Sequence, residues 1–345
     1  MKIIVDAYGG DHAPLEILKG AVQAVAAYGY DILLTGNEEE LRRLAQENNL
    51  SLEHIEIVHT TDVIRMEDHP RTVLREHKDC SMAVGLRLLS EGKGDAIVSA
   101  GSTGALLMGA TFILKRIKGV SRPALAPILP SDSGPFMLID CGANADCRPE
   151  MLLQFGRMGS IYMERMFHKD APRVGLLNIG TEDTKGGELQ QAAFGLLRDS
   201  GLHFIGNVEA RDVPGGVADV VVSDGFSGNV LLKSMEGTIQ MLLKNIKGIF
   251  TASLRTKIGA ALVLPGMRSL KKKLDVSEYG GAVLLGVNQP VVKAHGNSKA
   301  PSIVSAIRVA AEFAASGAVA AIAEAVAVPA EAPTQTAKEA DASCE

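Results

Sequence analysis

The sequence predicts an α/β fold, a three-layer α/β/α arrangement in which helices cover both faces of a mostly parallel sheet. Throughout residues 1–327, short apolar segments of strand length alternate with longer segments whose apolar residues recur at helical spacing. Several strand patterns end in a turn of small and polar residues that leads into a helix. Because ligands bind beyond the carboxyl ends of strands in such sheets, we expect these junctions to converge on one site; they are residues 95–109, 137–144, 175–185 and 220–229.

Composition limits the class of protein. The 345 residues are 46% hydrophobic and 22% charged, which is ordinary for a soluble globular chain. The net charge of -5 and the absence of Trp argue against a nucleic-acid partner. The four cysteines form no CxxC pair, and the first residues, MKIIVDAYGG, lead straight into a strand pattern with no secretory signal. No apolar run reaches the length of about 20 residues that spans a bilayer, so we expect a protein of the reducing cytoplasm.

The first part of the chain alternates regularly. Asn37 is a good N-cap for the second helix, because Glu38, Glu39 and Glu40 place negative charge in its first turn. A polar connection at 60–71 precedes the third helix. The expected elements are strands at 2–5, 31–35, 55–58 and 96–98, and helices at 14–28, after Asn37, at 72–91 and from about Thr103.

The second part continues the sheet and then changes character. Pro265–Gly266 is expected to break residues 258–274 into two short apolar pieces. The expected strands are 124–128, 136–139, 174–178, 203–206, 220–223, 282–287 and 291–294, and the expected helices are 151–167, 188–199, 230–257 and 302–326. We predict one large α/β domain over residues 1–327, with a helical hairpin at about 250–275. Residues 328–345 lack apolar periodicity and are predicted to be disordered.

The most informative junction is the turn Gly101, Ser102, Thr103 and Gly104. Small residues let a ligand approach the backbone, and a helix that begins near Thr103 aims unpaired N–H groups at the turn. This arrangement favours an anion, above all phosphate. The turn is neither a Walker loop nor a GxGxxG fingerprint, so a nucleotide is unsupported.

Four residues of the later junctions are candidates for the same site. Lys185 lies in a strand-to-helix loop, where a solvated lysine is the commoner case and a cation that holds phosphate or a developing oxyanion is the alternative. Asn229 is either a helix N-cap or an amide donor to a carbonyl oxygen. Asn144 and Asp224, beside Gly228, leave the same choice between loop capping and substrate binding.

Metal and thiol chemistry have weaker support. His12, His69, His77 and His295 show no tight spacing such as HxxxH, so we expect no catalytic metal. Cys141 ends a strand pattern, where a buried inert thiol is commoner than a nucleophile.

Residues 258–274, IGAALVLPGMRSLKKKL, combine an apolar patch with Lys271–Lys273. An apolar patch beside basic residues is the two-signal pattern of a peripheral membrane contact. The alternatives are a buried hairpin and a docking site for an acidic protein. The expected membrane-contacting residues are Leu262, Val263, Leu264 and Lys271.

Seven segments spread over nearly the whole chain are distinctive: VDAYGGDHAP (5–14), VSAGSTGAL (98–106), GANADCRPEMLLQFGRMGSIY (142–162), RVGLLNIGTEDTKG (173–186), FIGNVEARD (204–212), ADVVVSDGFSGNVLLK (218–233) and GGAVLLGVNQPVVKAHGNS (280–298). Together they resemble a known family, the bacterial phosphate acyltransferases that make acyl phosphate from acyl-[acyl-carrier-protein] for phospholipid synthesis. The departures are small: Tyr8 stands where the family usually has Met, Ser102 where it has Asn, and Thr181 where it has an acidic residue.

The resemblance implies a homodimer with a fold related to isocitrate and isopropylmalate dehydrogenases. It implies catalytic roles for Lys185 and Asn229 and a membrane-contacting hairpin at 258–274. It also implies acyl carrier protein and inorganic phosphate as substrates, a downstream glycerol-3-phosphate acyltransferase that uses the product, no cofactor, and a cytoplasmic location at the inner face of the cell membrane. Two alternatives stay open: a phosphotransacylase that uses acyl-coenzyme A, and a non-catalytic adaptor for acyl carrier protein at the membrane.

Overall fold

The computed structural model describes residues 1–273 and 279–327 and contains one sheet of eleven strands. Leu274 and the predicted disordered tail at 328–345 lie outside the described residues. The strands are β1 Lys2–Asp6, β2 Asp31–Gly36, β3 Ile55–His59, β4 Ala96–Ser99, β5 Ala124–Leu129, β6 Phe136–Ile139, β7 Val174–Asn178, β8 Phe204–Glu209, β9 Val220–Val222, β10 Ala282–Leu285 and β11 Val291–Lys293.

Helices connect most of these strands. Short 3-10 turns occupy Pro70–Leu74 and Val213–Gly215, and a π-helical segment at Ala110–Lys115 continues the fourth helix. The α-helices are α1 Leu15–Tyr28, α2 Glu38–Glu47, α3 Ser81–Ser90, α4 Thr103–Gly109, α5 Pro149–Phe167, α6 Glu188–Arg198, α7 Gly225–Thr251, α8 Leu254–Lys273, α9 Ala300–Ala315 and α10 Ala318–Ala327.

The strand order is β3-β2-β1-β4-β11-β10-β5-β6-β9-β7-β8. Strands β3, β2, β1, β4 and β11 run parallel to one another, and so do β6, β9, β7 and β8. The three central pairings, β11–β10, β10–β5 and β5–β6, are antiparallel. The predicted, mostly parallel sheet is confirmed. Its two parallel halves run in opposite directions. The strand-to-helix junctions therefore do not all lie at one edge of the sheet, although the sequence predicted that they would.

Both faces of the sheet are covered, because alternate residues of a strand point to opposite faces. Ile3 and Val5 of β1 belong to the core cluster that includes α1 and α9, whereas Ile4 belongs to the cluster that includes α3 and α4. Helices α1 and α9 pack closely at Gly20, where a Cβ atom would lie 2.5 Å from Ile303 Cβ. The predicted three-layer α/β/α arrangement is therefore confirmed.

Two predicted helix starts were wrong. The helix expected at 72–91 begins at Ser81, because the charged segment 75–79 offers no apolar side chain to the core. The helix expected at 230–257 begins at Gly225, because the carboxylate of Asp224 caps it by accepting the Ser227 N–H at 2.8 Å.

Two predicted breaks were also misplaced. Pro265 does not divide the segment after Ser253, since α8 continues through it as one helix. The carbonyl of Ala261 loses its helical partner to Pro265, but Ala261 is exposed and water can satisfy it. The closing helix expected at 302–326 is instead two helices, which bend by 52° where Gly317 adopts a positive φ of 69°.

Helices α7 and α8 contact each other on either side of a break at residues 252–253, and we call them the α7–α8 hairpin. The predicted hairpin was placed at about 250–275 with its turn at Pro265–Gly266, whereas the turn lies before α8. Beyond Leu231 no described residue of α7 is buried, and α8 has no buried residue in its described part. Within the described ranges no single helix is long and apolar enough to span a membrane; the bent pair α9–α10 passes that test by length and composition, although much of α9 is buried. The assignment of residues 1–327 to a single domain stays a prediction.

Candidate active site

The turn after β4 is held in place by a buried carboxyl group, that of Asp6. Ser99 Oγ donates to Asp6 Oδ2 at 2.6 Å and accepts the Gly101 N–H at 3.1 Å. Gly9 packs directly on this turn, where a Cβ atom would lie 2.5 Å from Gly101 N. Asp6 Oδ1 accepts Ser81 Oγ at 2.5 Å, and burial raises the pKa of Asp6. The turn therefore has a rigid shape before any ligand arrives.

Helix α4 begins at Thr103, as predicted. Ser102 occupies its N-cap position and is buried, but its side chain makes no capping hydrogen bond. The first helical bond runs from Leu106 N to Ser102 O. The N–H groups of Thr103 and Gly104 lie before that bond, so they lack partners inside the helix and are suited to an anion.

Lys293, at the end of β11, lies beneath the same turn and was missed by sequence reasoning. It is 7% exposed, donates to Ala100 O at 3.3 Å and also contacts Ala294 O. Burial lowers the pKa of Lys293 to about 8. A single ionisable residue at the end of the apolar strand pattern VVK was the available signal.

The turn after β6 is organised by Asp140, a second buried carboxyl group. Asp140 Oδ1 accepts Leu125 N at 2.8 Å and Ala143 N at 3.3 Å, and Oδ2 accepts Asn144 N at 2.6 Å. Burial raises the pKa of Asp140. The Asn144 side-chain amide donates to Pro123 O at 2.8 Å and to Asp140 Oδ2 at 3.0 Å. Asn144 therefore organises the loop, and its phosphate-binding role stays a prediction.

The start of α7 packs against this turn through two glycines. A Cβ atom on Gly225 would lie 2.6 Å from Asn144 O, and one on Gly228 would lie 2.0 Å from Asp140 O. Asp224 accepts both Ser227 N and Ser227 Oγ at 2.8 Å, so it acts as a cap. Gly228 thus serves close packing, and the capping alternative for Asp224 is the one that the structure shows.

Asn229 lies one turn inside α7 and is exposed, so it is not the N-cap. A Cβ atom on Gly142 would lie 3.8 Å from the Asn229 side chain, which places that amide beside the turn after β6. Lys233, four residues further along α7, places its Nζ 2.7 Å from Glu236 and 3.4 Å from His295 Nε2. Residues four apart share a helix face, so Asn229 and Lys233 face the same way.

Lys185 lies in the loop after β7, the strand next to β9, so its loop is at the same edge of the sheet as the start of α7. Its side chain is 47% exposed and its Nζ is 3.9 Å from Glu182 Oε1. The loop backbone is held by Asn178 Nδ2, which donates to Lys185 O at 3.0 Å. The loop is therefore fixed while the ammonium group can reorient.

A narrow cavity joins the two halves of the site, and we call it the junction cavity. It contains Thr103 from the turn after β4 and Ala143 from the turn after β6. The predicted convergence therefore holds for the junctions after β4, β6 and β9. The first two meet at this cavity, and the start of α7, which follows β9, packs against the turn after β6. The residues that line the junction cavity are Thr103, Leu106, Leu107, Leu125, Ala143, Leu284 and Lys293.

Metal and thiol candidates find no support in the described ranges. Nowhere in residues 1–273 and 279–327 do three or more His, Cys, Asp or Glu side chains gather as a metal would require. Cys141 is buried, and burial raises the pKa of its thiol well above the usual value, so it is a poor nucleophile.

The chain resembles known proteins along nearly its whole length. The family described as fatty acid synthesis protein matches residues 1–321. A phosphate acyltransferase of Thermoanaerobacterium thermosaccharolyticum is 48% identical over 308 residues, which are 89% of this chain and 91% of the relative. A phosphate acyltransferase of a Geobacillus species is 48% identical over 328 residues, 94% of this chain and 98% of the relative. This chain belongs to the phosphate acyltransferase family.

Solved structures place this phosphate acyltransferase in a wider fold. The EutD phosphotransacetylase of Staphylococcus aureus matches with a TM-score of 0.60 at 20% identity and covers 91% of this chain and 94% of its own. A 4-hydroxythreonine-4-phosphate dehydrogenase of Klebsiella pneumoniae matches with a TM-score of 0.53 at 15% identity, over 91% and 99% of the two chains. At such identities the likeness shows a shared fold, in agreement with the predicted dehydrogenase-like architecture.

Proposed function

We propose that this phosphate acyltransferase transfers a fatty acyl group from acyl-[acyl-carrier-protein] to inorganic phosphate, for phospholipid synthesis. The observation that carries the proposal is the pairing of an anion-binding turn with an amide donor across one site. The open N–H groups of α4 suit phosphate, and Asn229 stands exposed beside Gly142 on the facing wall.

The reaction needs little acid–base help from the protein. A phosphate oxygen attacks the thioester carbonyl carbon, the carbon–sulfur bond breaks, and the thiolate takes the proton that hydrogen phosphate brought. The products are acyl phosphate and the free thiol of the carrier. The protein's task is to hold the anion and aim one oxygen at the carbonyl.

Asn229 and Lys185 supply the electrostatic part of this proposal. The Asn229 amide donates to the oxyanion that forms at the carbonyl, and the exposed Lys185 ammonium group turns toward the developing charge. In the described ranges Lys185 has only the 3.9 Å approach to Glu182 as an ion pair, so little holds it away from substrate.

Donor identity is tested by offering purified protein the same acyl chain on acyl carrier protein and on coenzyme A, with inorganic phosphate. We expect acyl phosphate and free carrier thiol from the first donor, at a kcat/KM at least tenfold above that of the second. Preference for coenzyme A supports the phosphotransacylase alternative. Carrier binding without thiol release from either donor supports the adaptor alternative.

We also propose that the α7–α8 hairpin contacts the inner face of the cell membrane. Leu262 is 81% exposed, and Val263 and Leu264 are about half exposed beside it. Lys271, also exposed, lies further along the same helix. Apolar side chains that enter the interface beside cations that meet anionic lipids form the two-signal pattern of reversible attachment.

Membrane contact is tested by sedimentation with anionic lipid vesicles. Leu262→Glu is expected to lower the bound fraction several-fold, because it places a charge in the apolar contact. The matched control is Phe112→Glu, which puts the same charge on an exposed apolar residue outside the hairpin. Equal pelleting of Leu262→Glu and the unchanged protein means that the hairpin meets another protein surface.

A homodimer is part of the same proposal. Met241, Leu242 and Ile249 on α7 are all exposed apolar side chains, and a second copy would cover such a surface. Sedimentation velocity tests it, and a single monomeric species at micromolar concentration contradicts it. Acyl phosphate is a reactive mixed anhydride, so we further propose that a glycerol-3-phosphate acyltransferase consumes it at the same membrane.

A further inference from the structure

We propose that Lys233 and Lys293 together bind the acceptor phosphate, between the start of α7 and the turn after β4. This inference rests on the proposed function, because it takes inorganic phosphate as the acceptor. It adds to Lys185 and Asn229 two cations that come from opposite halves of the sheet.

The first argument is that Lys293 is a buried cation without a carboxylate partner. No Asp or Glu oxygen in residues 1–273 and 279–327 lies within 4.0 Å of its Nζ. The nearby carboxyl of Asp6 is already occupied by Ser81, Ser99 and the Tyr8 N–H. Asp6 and Asp11 attract Lys293 only from beyond ion-pair distance. Because a buried charge is stabilised by direct pairing, a bound anion would supply the contacting counter-charge.

The second argument is that Lys293 lines the junction cavity and has a hydrogen-bond donor to spare. An ammonium group has three N–H donors, and the carbonyls of Ala100 and Ala294 take two of them. Lys293 lines the junction cavity together with Thr103, whose backbone N–H lies in the open first turn of α4. The ammonium group and the helix N-terminus thus border the same narrow space.

The third argument is that a second cation from the other wall comes close. Lys233 Nζ lies 3.4 Å from Nε2 of His295, two residues after Lys293. Glu236, at 2.7 Å, is the single carboxylate paired with Lys233 in the described ranges. The carboxylates of Asp6 and Asp11 raise the pKa of Lys293, and the ammonium group of Lys233 lowers it. Among the described residues Lys293 has no carboxylate in contact and also feels the repulsion of Lys233, so an anion bound between the two ammonium groups would relieve it.

The position of this pair fits the proposed chemistry. Lys233 lies one helical turn beyond Asn229 on the same face of α7. Phosphate held by Lys233 and Lys293 would therefore lie beside the amide that receives the thioester oxygen. The two lysines bind the nucleophile, while Asn229 and Lys185 act on the electrophile.

The test is calorimetric titration of the full-length protein with inorganic phosphate at pH 7, without any acyl donor. Lys233→Met and Lys293→Met are each expected to lower the affinity for phosphate roughly 10- to 100-fold, as the loss of a charge-assisted hydrogen bond predicts. Lys233 is half exposed, so its variant should fold even if Lys293→Met does not.

Two controls match these variants in charge. Lys244→Met makes the same change about three turns further along α7, and Lys299→Met makes it six residues after Lys293 at an exposed position. Both controls are expected to bind phosphate within about threefold of the unchanged protein. A double-mutant cycle should show non-additive losses if both lysines contact one anion.

The outcomes separate this inference from the proposed function. Full phosphate affinity in a folded Lys233→Met variant, or no phosphate binding by the unchanged protein, overturns the inference. If binding depends on both lysines but no acyl phosphate forms from acyl-[acyl-carrier-protein], the inference stands and the proposed function fails. If acyl phosphate forms and both variants keep the KM for phosphate of the unchanged protein, the proposed function stands and this inference fails.

Discussion

The two walls of the site present polar groups in different ways. On the β4 side, Asp6, Ser99 and Lys293 are buried and hydrogen-bonded, so the groups offered to a ligand are held in place before it binds. On the α7 side, the chemically useful side chains, Asn229 and Lys185, are exposed and weakly held. One wall is preorganised, whereas the other carries groups that adjust to the substrate.

This difference predicts separable effects of mutation. Buried groups that hold the turns should affect folding when they are changed. Exposed groups that only contact substrate should affect catalysis and leave stability intact. Three predictions test this division and a fourth concerns a carboxylate outside the site; they run from the largest expected effect to the smallest.

The largest effect is expected for Asn229→Ala and Lys185→Ala. Each removes a donor to the oxyanion, and the loss of one such donor lowers kcat by roughly 100- to 1000-fold, equivalent to about 3–4 kcal/mol. Because both side chains are exposed, the free energy of unfolding should change by less than about 0.5 kcal/mol. Acyl-phosphate formation and urea denaturation measure the two quantities; near-normal rates would remove these residues from the site.

The second effect concerns two glycines of the same helix. Gly228→Ala would place a Cβ atom 2.0 Å from Asp140 O, and we expect a destabilisation of at least about 3 kcal/mol. Gly237→Ala is the matched control, because nothing lies within 4 Å of a Cβ atom there. It should stabilise α7 by about 0.5–1 kcal/mol. Shifts of the urea midpoint in opposite directions for the two variants, relative to the unchanged protein, confirm the close contact. Equal shifts would contradict it.

The third effect concerns Asp140, the acceptor that shapes the turn after β6. Asp140→Asn keeps one acceptor oxygen and replaces the other by an NH2 group, which cannot accept a hydrogen bond. The variant therefore loses either the bonds from Leu125 N and Ala143 N or the bond from Asn144 N. We expect a loss of about 2–3 kcal/mol in the free energy of unfolding, with catalysis lowered as the turn loosens. The exposed Asp199→Asn, which changes charge in the same way, should shift the urea midpoint little.

These contrasts also show how far the sequence could predict the structure. Strands β6 and β7 lie where the apolar segments 136–139 and 174–178 predicted them, because strands that are wholly or mostly buried can be recognised by their apolar composition. The reversal of direction between the two halves could not be predicted, since strand direction depends on pairing between distant segments. The same holds for the buried partners Asp140 and Lys293, whose importance appears only when the turns are packed together.

The smallest effect is expected at Asp219, which precedes β9, whereas the site lies beyond the other end of that strand. There the free energy of unfolding should depend on pH. Burial raises the pKa of Asp219, but the hydrogen bonds from Arg173 and Lys169 outweigh it and lower that pKa to about 2. Since the ordinary value is 3.8, this carboxylate stabilises the fold by about 2 kcal/mol above pH 5. That stabilisation is lost as the pH falls through the two values, about half of it by pH 3.

The comparison that isolates this group is the difference in unfolding free energy between the unchanged protein and Asp219→Asn. The difference should shrink by about 1 kcal/mol between pH 6 and pH 3, because only the unchanged protein has the carboxylate to protonate. Asp199→Asn, at an exposed pair, should leave a nearly constant difference over the same range. A constant difference for Asp219→Asn as well would mean that Arg173 and Lys169 hold the start of β9 through packing and not through charge.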